Sequence, residues 1–414
     1  MSSPRRVVVT GLGAITPIGI GLDAVRASLR AEQSAVGMIT RFDPSPFRTH
    51  IAAEIDGFAA EDHLEAKRVK RLDRFGQLSV IAANMALADS GIDMAQEDRE
   101  NCGVMMGTAL AGVGYAEAQL GRYIEGGLRA VDATLALAVF GGASSCNIAI
   151  EIGAQGPNST NAMSCASGAI AIGEAYRLVR DGYADIMIGG GAEAPLAPLC
   201  FGAFALIRAM STRNDDPTHA SRPFDADRDG FVMGEGGAAL ILEERNRAIA
   251  RGAKIYGEVI GFGTTNDAHH MTAPLPGGAQ AARAMQQALT RADIAASDVS
   301  YVNAHASATP LNDPTEVDAM RTVFGDSLHE VWVSGTKGYH GHALGASGAI
   351  EAVICMLSMQ DGWLPPTVNL QQSDAGCQVR HVPKGGLSHA ASVMMSNSFG
   401  FGGINASLVF RAPS

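Results

Sequence analysis

One cysteine and two histidines stand in surroundings that suit covalent chemistry. Cys165 lies in the run Asn161-Ala162-Met163-Ser164-Cys165-Ala166-Ser167-Gly168, where small residues open a helical pattern. A thiol at a helix N-terminus faces unpaired N–H groups and the positive end of the peptide dipoles, which favour the thiolate. The other reading of such a residue is a buried structural cysteine. His305 ends the strand-like run Tyr301-Val302-Asn303-Ala304-His305, with Ala306-Ser307-Ala308-Thr309-Pro310 forming a turn. Strand ends of open α/β sheets are where catalytic groups gather. His342 follows Ser334-Gly335-Thr336-Lys337-Gly338-Tyr339-His340-Gly341. Core or surface positions are the alternatives for these histidines, and His340 and the pair His269-His270 are assigned to one of those classes. Lys337, set among small residues, reads either as a surface lysine or as a partly buried ammonium paired with a carboxylate such as Glu316.

A nucleophilic thiol and two histidines admit two chemistries. A hydrolase uses one imidazole as base, oriented by Asn or Asp, and lets water reach the acyl-enzyme. Two imidazoles without such an orienter can instead donate through Nε2 to one thioester oxygen, stabilising the enolate left when a malonyl group loses carbon dioxide. That second arrangement makes carbon–carbon bonds. The run Asn397-Ser398-Phe399-Gly400-Phe401-Gly402-Gly403-Ile404-Asn405 is a glycine-rich loop between apolar strands. It can turn a backbone N–H toward a reacting carbonyl and swing an aromatic ring over a pocket, or it can be a plain hairpin turn.

Such groups need a large scaffold. Short apolar runs, Val7-Val8-Val9, Ile186-Met187-Ile188, Ala239 to Leu242 and Val299 to Val302, alternate with helical patterns at Gln77 to Asp89 and Gln280 to Arg291, the signature of βαβ units. At 414 residues, 47% hydrophobic and 18% charged, the chain can bury two packed halves, which excludes disorder. The 31 basic against 42 acidic residues argue against a general nucleic-acid binder and require any anionic partner to dock locally. Six scattered cysteines without metal-ligand spacing fit a reducing cytosol, and the amino-terminal apolar run is too short for a signal core or a membrane span. An internal echo, Ala166-Ser167-Gly168-Ala169-Ile170 and Ala346-Ser347-Gly348-Ala349-Ile350, keeps an offset of 180 that Asp181-Gly182 and Asp361-Gly362 share. Chance in a chain rich in small residues is the alternative to duplication. Duplication predicts one central buried helix in each half.

With these residues in view, the chain resembles the β-ketoacyl-acyl carrier protein synthases, above all the type II elongating enzymes, almost end to end. The matching stretches include VVVTGLGAITPIG, SCASG, SRPFDADRDGFVMGEGG, NDAHHMTAP, NAHASATP, the stretch Thr336 to Glu351, and NSFGFGG. The resemblance implies an α/β thiolase-like fold of five layers, αβαβα, with halves 1–254 and 255–414. It makes Cys165 the acyl acceptor, His305 and His342 the decarboxylation pair, and Lys337 with Glu316 a supporting ion pair. The backbone N–H groups of Cys165 and Phe401 become an oxyanion hole, and Phe401 also a gate. Phe231 lines the malonyl side, and Thr309 and Thr272 meet a phosphopantetheine arm. No metal or soluble cofactor is implied, because substrates ride on an acyl carrier protein.

That partner is acidic, so a basic patch is expected, with Lys67, Arg68, Lys70, Arg71, Arg74, Arg208 and Arg213 as candidates and a solvated helix face as the alternative. A homodimer is implied, or a heterodimer with a ketosynthase-like chain. Three departures from the family pattern bear on substrate and pathway. Ala306 and Ser307 alter the loop after His305, Ser164 precedes the nucleophile where a small apolar residue is common, and Leu110 with the run Phe204-Ala205-Leu206-Ile207 is bulkier than a long-chain pocket wants. Phe399, within the matching NSFGFGG, is counted with Leu110, Phe204 and Leu206 among the substrate-binding residues. A polyketide or polyene synthase therefore stands beside housekeeping lipid synthesis. The rival classes are a non-catalytic chain-length factor, which lacks the nucleophile, and a cysteine thioester hydrolase.

Overall fold

The alternating pattern folds into a mixed α/β architecture, and the computed structural model describes residues 4–413. Met1 to Ser3 of the amino-terminal run and Ser414 lie outside them. The main strands are β1 (Val7–Thr16), β2 (Cys102–Gly107), β3 (Asn158–Asn161), β4 (Ile186–Glu193), β5 (Gly236–Glu244), β6 (Gly257–Asn266), β7 (Tyr301–Asn303), β8 (Trp332–Ser334), β9 (Val393–Gly400) and β10 (Ile404–Arg411). The helices that bear on the site are α1 (Arg74–Ser90), α2 (Val113–Gly126), α3 (Ser167–Arg180), α4 (Pro198–Ile207), α5 (Ala279–Ala292), α6 (Asn312–Phe324) and α7 (Ser347–Asp361).

The strands hydrogen-bond in the order β3-β2-β4-β5-β1-β6-β10-β9-β7-β8. Outward from the β1–β6 junction the two sides repeat one pattern. Two antiparallel pairings come first, β1 with β5 and β5 with β4 on one side, β6 with β10 and β10 with β9 on the other. Two parallel pairings follow, β4 with β2 and β2 with β3, matched by β9 with β7 and β7 with β8. The junction is a short antiparallel contact in which Val7, Val8 and Val9 face Val259, Glu258 and Gly257.

Helices α3 and α7 lie between the two half-sheets, α3 against β4, β2 and β10, and α7 against β5 and β9. Helix α1 covers the outer face of β1 and β5, while α5 covers β6 and β10 and packs on α6, which completes five layers. Helix α7 is buried from Ser347 to Ser358, as a helix apolar on all sides must be. The outer joints repeat as well. A Cβ on Gly11 or Gly13 would lie 2.1 or 2.0 Å from the carbonyl oxygens of Ala86 and Ala82, and one on Gly261 or Gly263 would lie 2.2 or 2.0 Å from those of Ala288 and Ala284. Only glycine lets strand and helix backbones approach so closely. The echoed segments match too: a single 3-10 turn, Ser164–Ala166 or Leu344–Ala346, leads into α3 or α7.

Candidate active site

The parallel crossovers bring several chain turns to one end of the sheets. Cys165 sits in the 3-10 turn ahead of α3, His305 just beyond β7, and His342 between the turn Lys337–His340 and the 3-10 turn ahead of α7. Phe399 ends β9 beside the hairpin that carries Phe401. A short parallel bridge between Met233 and His342 fixes the second histidine, whose N–H donates to the Val232 carbonyl over 2.7 Å. A cavity of about 310 Å³ results, and Cys165, His305, His342, Phe204, Phe231, Thr272, Ser307, Thr309, Phe399, Phe401 and Arg208 all line it.

The imidazoles meet edge to face, ring centroids 5.3 Å apart. Phe231 packs 5.4 Å from His342 and Phe399 5.8 Å from His305. Each ring is held through Nδ1. Lys337 Nζ lies 3.4 Å from His305 Nδ1 and donates to the His305 carbonyl, while Ser347 Oγ is 2.8 Å from His342 Nδ1. An ammonium can only donate, so His305 Nδ1 accepts and Nε2 carries the proton. Ser347 has no other hydroxyl partner among the described residues, so its proton serves His342 Nδ1 in the same way. Burial, the Lys337 charge and the neighbouring imidazole push His305 well below the usual histidine range. Burial and Lys337 do the same for His342, so both rings are neutral Nε2–H donors.

Cys165 departs from expectation. Burial pushes its thiol up from the usual cysteine value, against the smaller opposing effects of the Ser164 hydroxyl, the Lys337 charge and the Phe401 backbone N–H. Cys165 stands in the 3-10 turn that precedes the helix and is itself only 7% exposed, so desolvation is the largest influence on it. The hairpin closes on this turn: a Cβ on Gly400 would lie 3.0 Å from the Cys165 nitrogen. Phe401 therefore brings its N–H to the sulfur from β9–β10, while its ring stacks on Phe204 at 6.3 Å.

The expected pairing of Lys337 with Glu316 is corrected. Lys337 pairs with Glu351 of α7, both at most 1% exposed. Glu316 spends its oxygens on the turn after β7, accepting the His305 and Ala306 N–H groups at 2.8 Å each, with Asn397 adding a third donor at 3.3 Å. Burial holds both carboxyls up at about 7, with Lys337 acting in the opposite sense on Glu351. The signal for Glu351 was legible, since it is the one carboxylate in the apolar run Gly348-Ala349-Ile350-Glu351-Ala352-Val353-Ile354 and so needs a buried partner. Ser347 and Glu193 were also missed. Glu193 gathers the Thr108 hydroxyl at 3.0 Å and the Leu110 and Gly345 N–H groups at 3.0 and 2.9 Å, tying the two halves together behind the cavity.

The remaining expected residues divide. Leu206 is 84% exposed and does not line the cavity, because it lies two positions beyond Phe204 on α4, some 200° around the helix. Leu110 lines a separate apolar groove with Val113, Leu120 and Leu199, and Phe204 forms a wall of both spaces. Among the basic candidates, Arg74 is bidentate to buried Glu235 and Arg68 pairs with Glu151 at 2.9 Å, so their charges are already matched. Arg213 donates to the Asp227 carbonyl at 3.1 Å. Lys67, Lys70, Arg71 and Arg208 are exposed without ion pairs among the described residues.

Comparison with known proteins adds the family. Residues 4–248 match the model of the β-ketoacyl synthase N-terminal domain and residues 256–371 that of the C-terminal domain. The chain is 44% identical over 407 residues to a 3-oxoacyl-[acyl-carrier-protein] synthase 2 of Synechocystis, covering 98% of each. It is 40% identical over 411 residues to the protein of that name in Staphylococcus aureus, covering 99% of each. Among solved structures, a β-ketoacyl synthase of Burkholderia phymatum superposes with a TM-score of 0.92 at 36% identity, over 99% of this chain and 100% of the other. The ishigamide ketosynthase/chain length factor gives 0.93 at 32% identity, over 100% of both chains. A type II polyketide synthase acyl-carrier protein in complex with its ketosynthase bound to the hexaketide gives 0.92 at 33% identity, also over 100% of both. On the matched motifs, the fold and this geometry, the chain belongs to the β-ketoacyl synthase family.

Proposed function

We propose that the protein is a 3-oxoacyl-acyl carrier protein synthase that condenses a Cys165-bound acyl chain with malonyl-acyl carrier protein, losing carbon dioxide. The observation that carries this reading is the pair of neutral imidazoles, each pinned at Nδ1, beside a buried thiol on one cavity. Two Nε2–H donors suit the single oxygen of a malonyl thioester, where negative charge develops on decarboxylation. Neither ring has a carboxylate partner of the kind that orients a hydrolytic base.

In the first half-reaction the thiolate of Cys165 attacks the acyl thioester, with the N–H groups of Cys165 and Phe401 receiving the oxyanion. Malonyl thioester then enters past Thr272, Ser307 and Thr309, loses carbon dioxide, and its enolate carbon attacks the acyl-enzyme beside Phe231. The product is a 3-ketoacyl thioester on the carrier. Lys337 supports the site by fixing His305, with Glu351 balancing its charge. The acyl chain runs toward Phe204 and Leu110.

Of the expected basic residues, Lys67, Lys70, Arg71 and Arg208, without ion pairs among the described residues, would meet an acidic carrier, Arg208 at the cavity itself. The exposed apolar side chains Leu120 of α2 and Leu199 of α4, beside the Leu110 groove, suit coverage by a second ketosynthase-like chain. Halves 1–254 and 255–414 and a cytosolic setting complete the reading. Among the described residues no helix is long and apolar enough to cross a membrane.

The test is intact-protein mass spectrometry after incubation with acyl-carrier proteins of graded chain length, followed by malonyl-carrier protein. Expected are acyl mass gain at Cys165, then its loss with 3-ketoacyl-carrier formed. Free fatty acid without a malonyl requirement would identify a hydrolase instead.

A further inference from the structure

Ser164 is the polar group at the nucleophile that the reaction above leaves without a task. Its hydroxyl lies 3.7 Å from Cys165 Sγ, within hydrogen-bond reach of sulfur, and has no other partner among the described residues. The backbone does not account for it. Ser164 holds a left-handed φ of +51°, but Leu344 holds +40° at the matching place ahead of α7, so the turn accepts a side chain with no hydroxyl. What sets Ser164 apart is its oxygen beside the sulfur.

We propose that Ser164 is a positioning residue for the nucleophile, its O–H donating to the Cys165 sulfur and stabilising the thiolate that accepts the acyl chain. This rests on the acyl-acceptor reading of Cys165. In the resting thiol, either group can donate to the other. On ionisation the Ser164 rotor turns its proton to sulfur, and no heavy atom has to move. The thiolate attacks the carbonyl carbon of the incoming thioester. A carbon–sulfur bond forms to Cys165, the bond to the carrier's pantetheine sulfur breaks, and the proton given up by Cys165 ends on the departing thiol. Burial opposes the thiolate at this place, and the Ser164 hydroxyl and Phe401 N–H are the neutral donors that offset it.

The experiment is the pH dependence of Cys165 alkylation by iodoacetamide in the full-length protein, read by peptide mass spectrometry so that the other thiols do not interfere. Ser164→Ala and Ser164→Gly are compared with the unaltered protein, with melting temperatures measured alongside. Both variants are expected to raise the midpoint by about one pH unit and to slow alkylation roughly tenfold below it. Glycine suits a positive φ, so the Gly variant should melt no lower than the unaltered protein and separates lost hydroxyl from lost folding. Superimposed profiles would overturn the proposal, and so would profiles that move only in step with melting temperature. No acyl substrate is used, so an unshifted profile counts against Ser164 alone, whereas failed acyl loading counts against the reading of Cys165.

Discussion

The turns that open α3 and α7 are built alike and used differently. Both are single 3-10 turns with one residue at positive φ, and each is followed by Ser and Gly. At the offset of 180, Cys165 answers to Gly345 and Ser167 to Ser347. The Ser167 hydroxyl lies 2.7 and 2.8 Å from the Ser164 and Thr108 carbonyls and shares its one proton between them, and so serves the backbone. The Ser347 hydroxyl serves His342 instead. Where Cys165 meets a cavity, a Cβ on Gly345 would lie 2.4 Å from the Ala109 nitrogen, and the Gly345 N–H is bound by Glu193. One scaffold thus carries a nucleophile in one copy and, in the other, the support for an imidazole. The difference lies in what packs against each turn.

Breaking the comparison at its most unequal point gives the largest effect. Cys165→Ala should abolish condensation in a carrier-protein assay, while Cys165→Gln keeps malonyl decarboxylation because an amide can stand in for the acylated thiol. Turnover retained by the alanine variant would remove the covalent step. His342→Ala should lower malonyl decarboxylation by two to three orders of magnitude, about 3–4 kcal/mol of transition-state stabilisation. A loss of only a few fold, measured by carbon dioxide release, would deny it a share of the enolate oxygen.

Filling the second turn is a milder break. Gly345→Ala places a methyl against the Thr108–Ala109 backbone and should cost about 1–3 kcal/mol, read as a lower denaturant midpoint. An unchanged midpoint would mean that the turn yields easily. Ser347→Ala should slow decarboxylation roughly tenfold, about 1.4 kcal/mol, through a His342 ring free to change tautomer, whereas Ser167→Ala leaves that step untouched. Equal effects from the two serines would erase the distinction.

The pH profile is the smallest effect and tests the imidazoles together. Both are depressed well below 6.5, so they remain neutral donors as pH falls through 6.5 and protonate only further down. Decarboxylation by the Cys165→Gln variant should therefore show no limb from the imidazoles between about pH 6 and 8, any change near 7 belonging to the Glu316 and Glu351 carboxyls. The histidines' share of folding stability should be lost below about pH 6.5, where the unfolded rings bind protons that the buried ones refuse, while Glu316 and Glu351, raised to about 7, act in the opposite sense. His342→Ala should therefore remove part of the loss on the acid side. An activity limb centred at 6.5 would mean hydrated rings.

The parts legible in the sequence were those whose local pattern carries chemistry. Cys165, His305, His342 and the Phe399–Phe401 loop announced themselves by small neighbours at element ends, and they line one cavity. The echo at 180 was readable because buried helix crossings demand small residues. That Glu351 needs a buried partner was readable from its apolar run, but not that Glu316 would be engaged elsewhere. Glu316 and Glu351 are both carboxylates near Lys337, and only the fold decides that one spends its oxygens on backbone N–H groups while the other meets the ammonium. Helical phase misassigned Leu206. The depth at which the Cys165 thiol lies was not legible, since a sequence shows the following helix but not what covers the turn before it.

The paired glycines of β1 and β6 set a limit on how far the two sides can differ. At the site itself the two sides differ, Cys165 on one answering to Gly345 on the other. At the paired glycines a Cβ would sit about 2 Å from a carbonyl oxygen, which leaves no room for a side chain. The likeness of the two sides is therefore held most tightly where no atom can be added, in Gly-x-Gly on a strand facing alanines four apart on a helix.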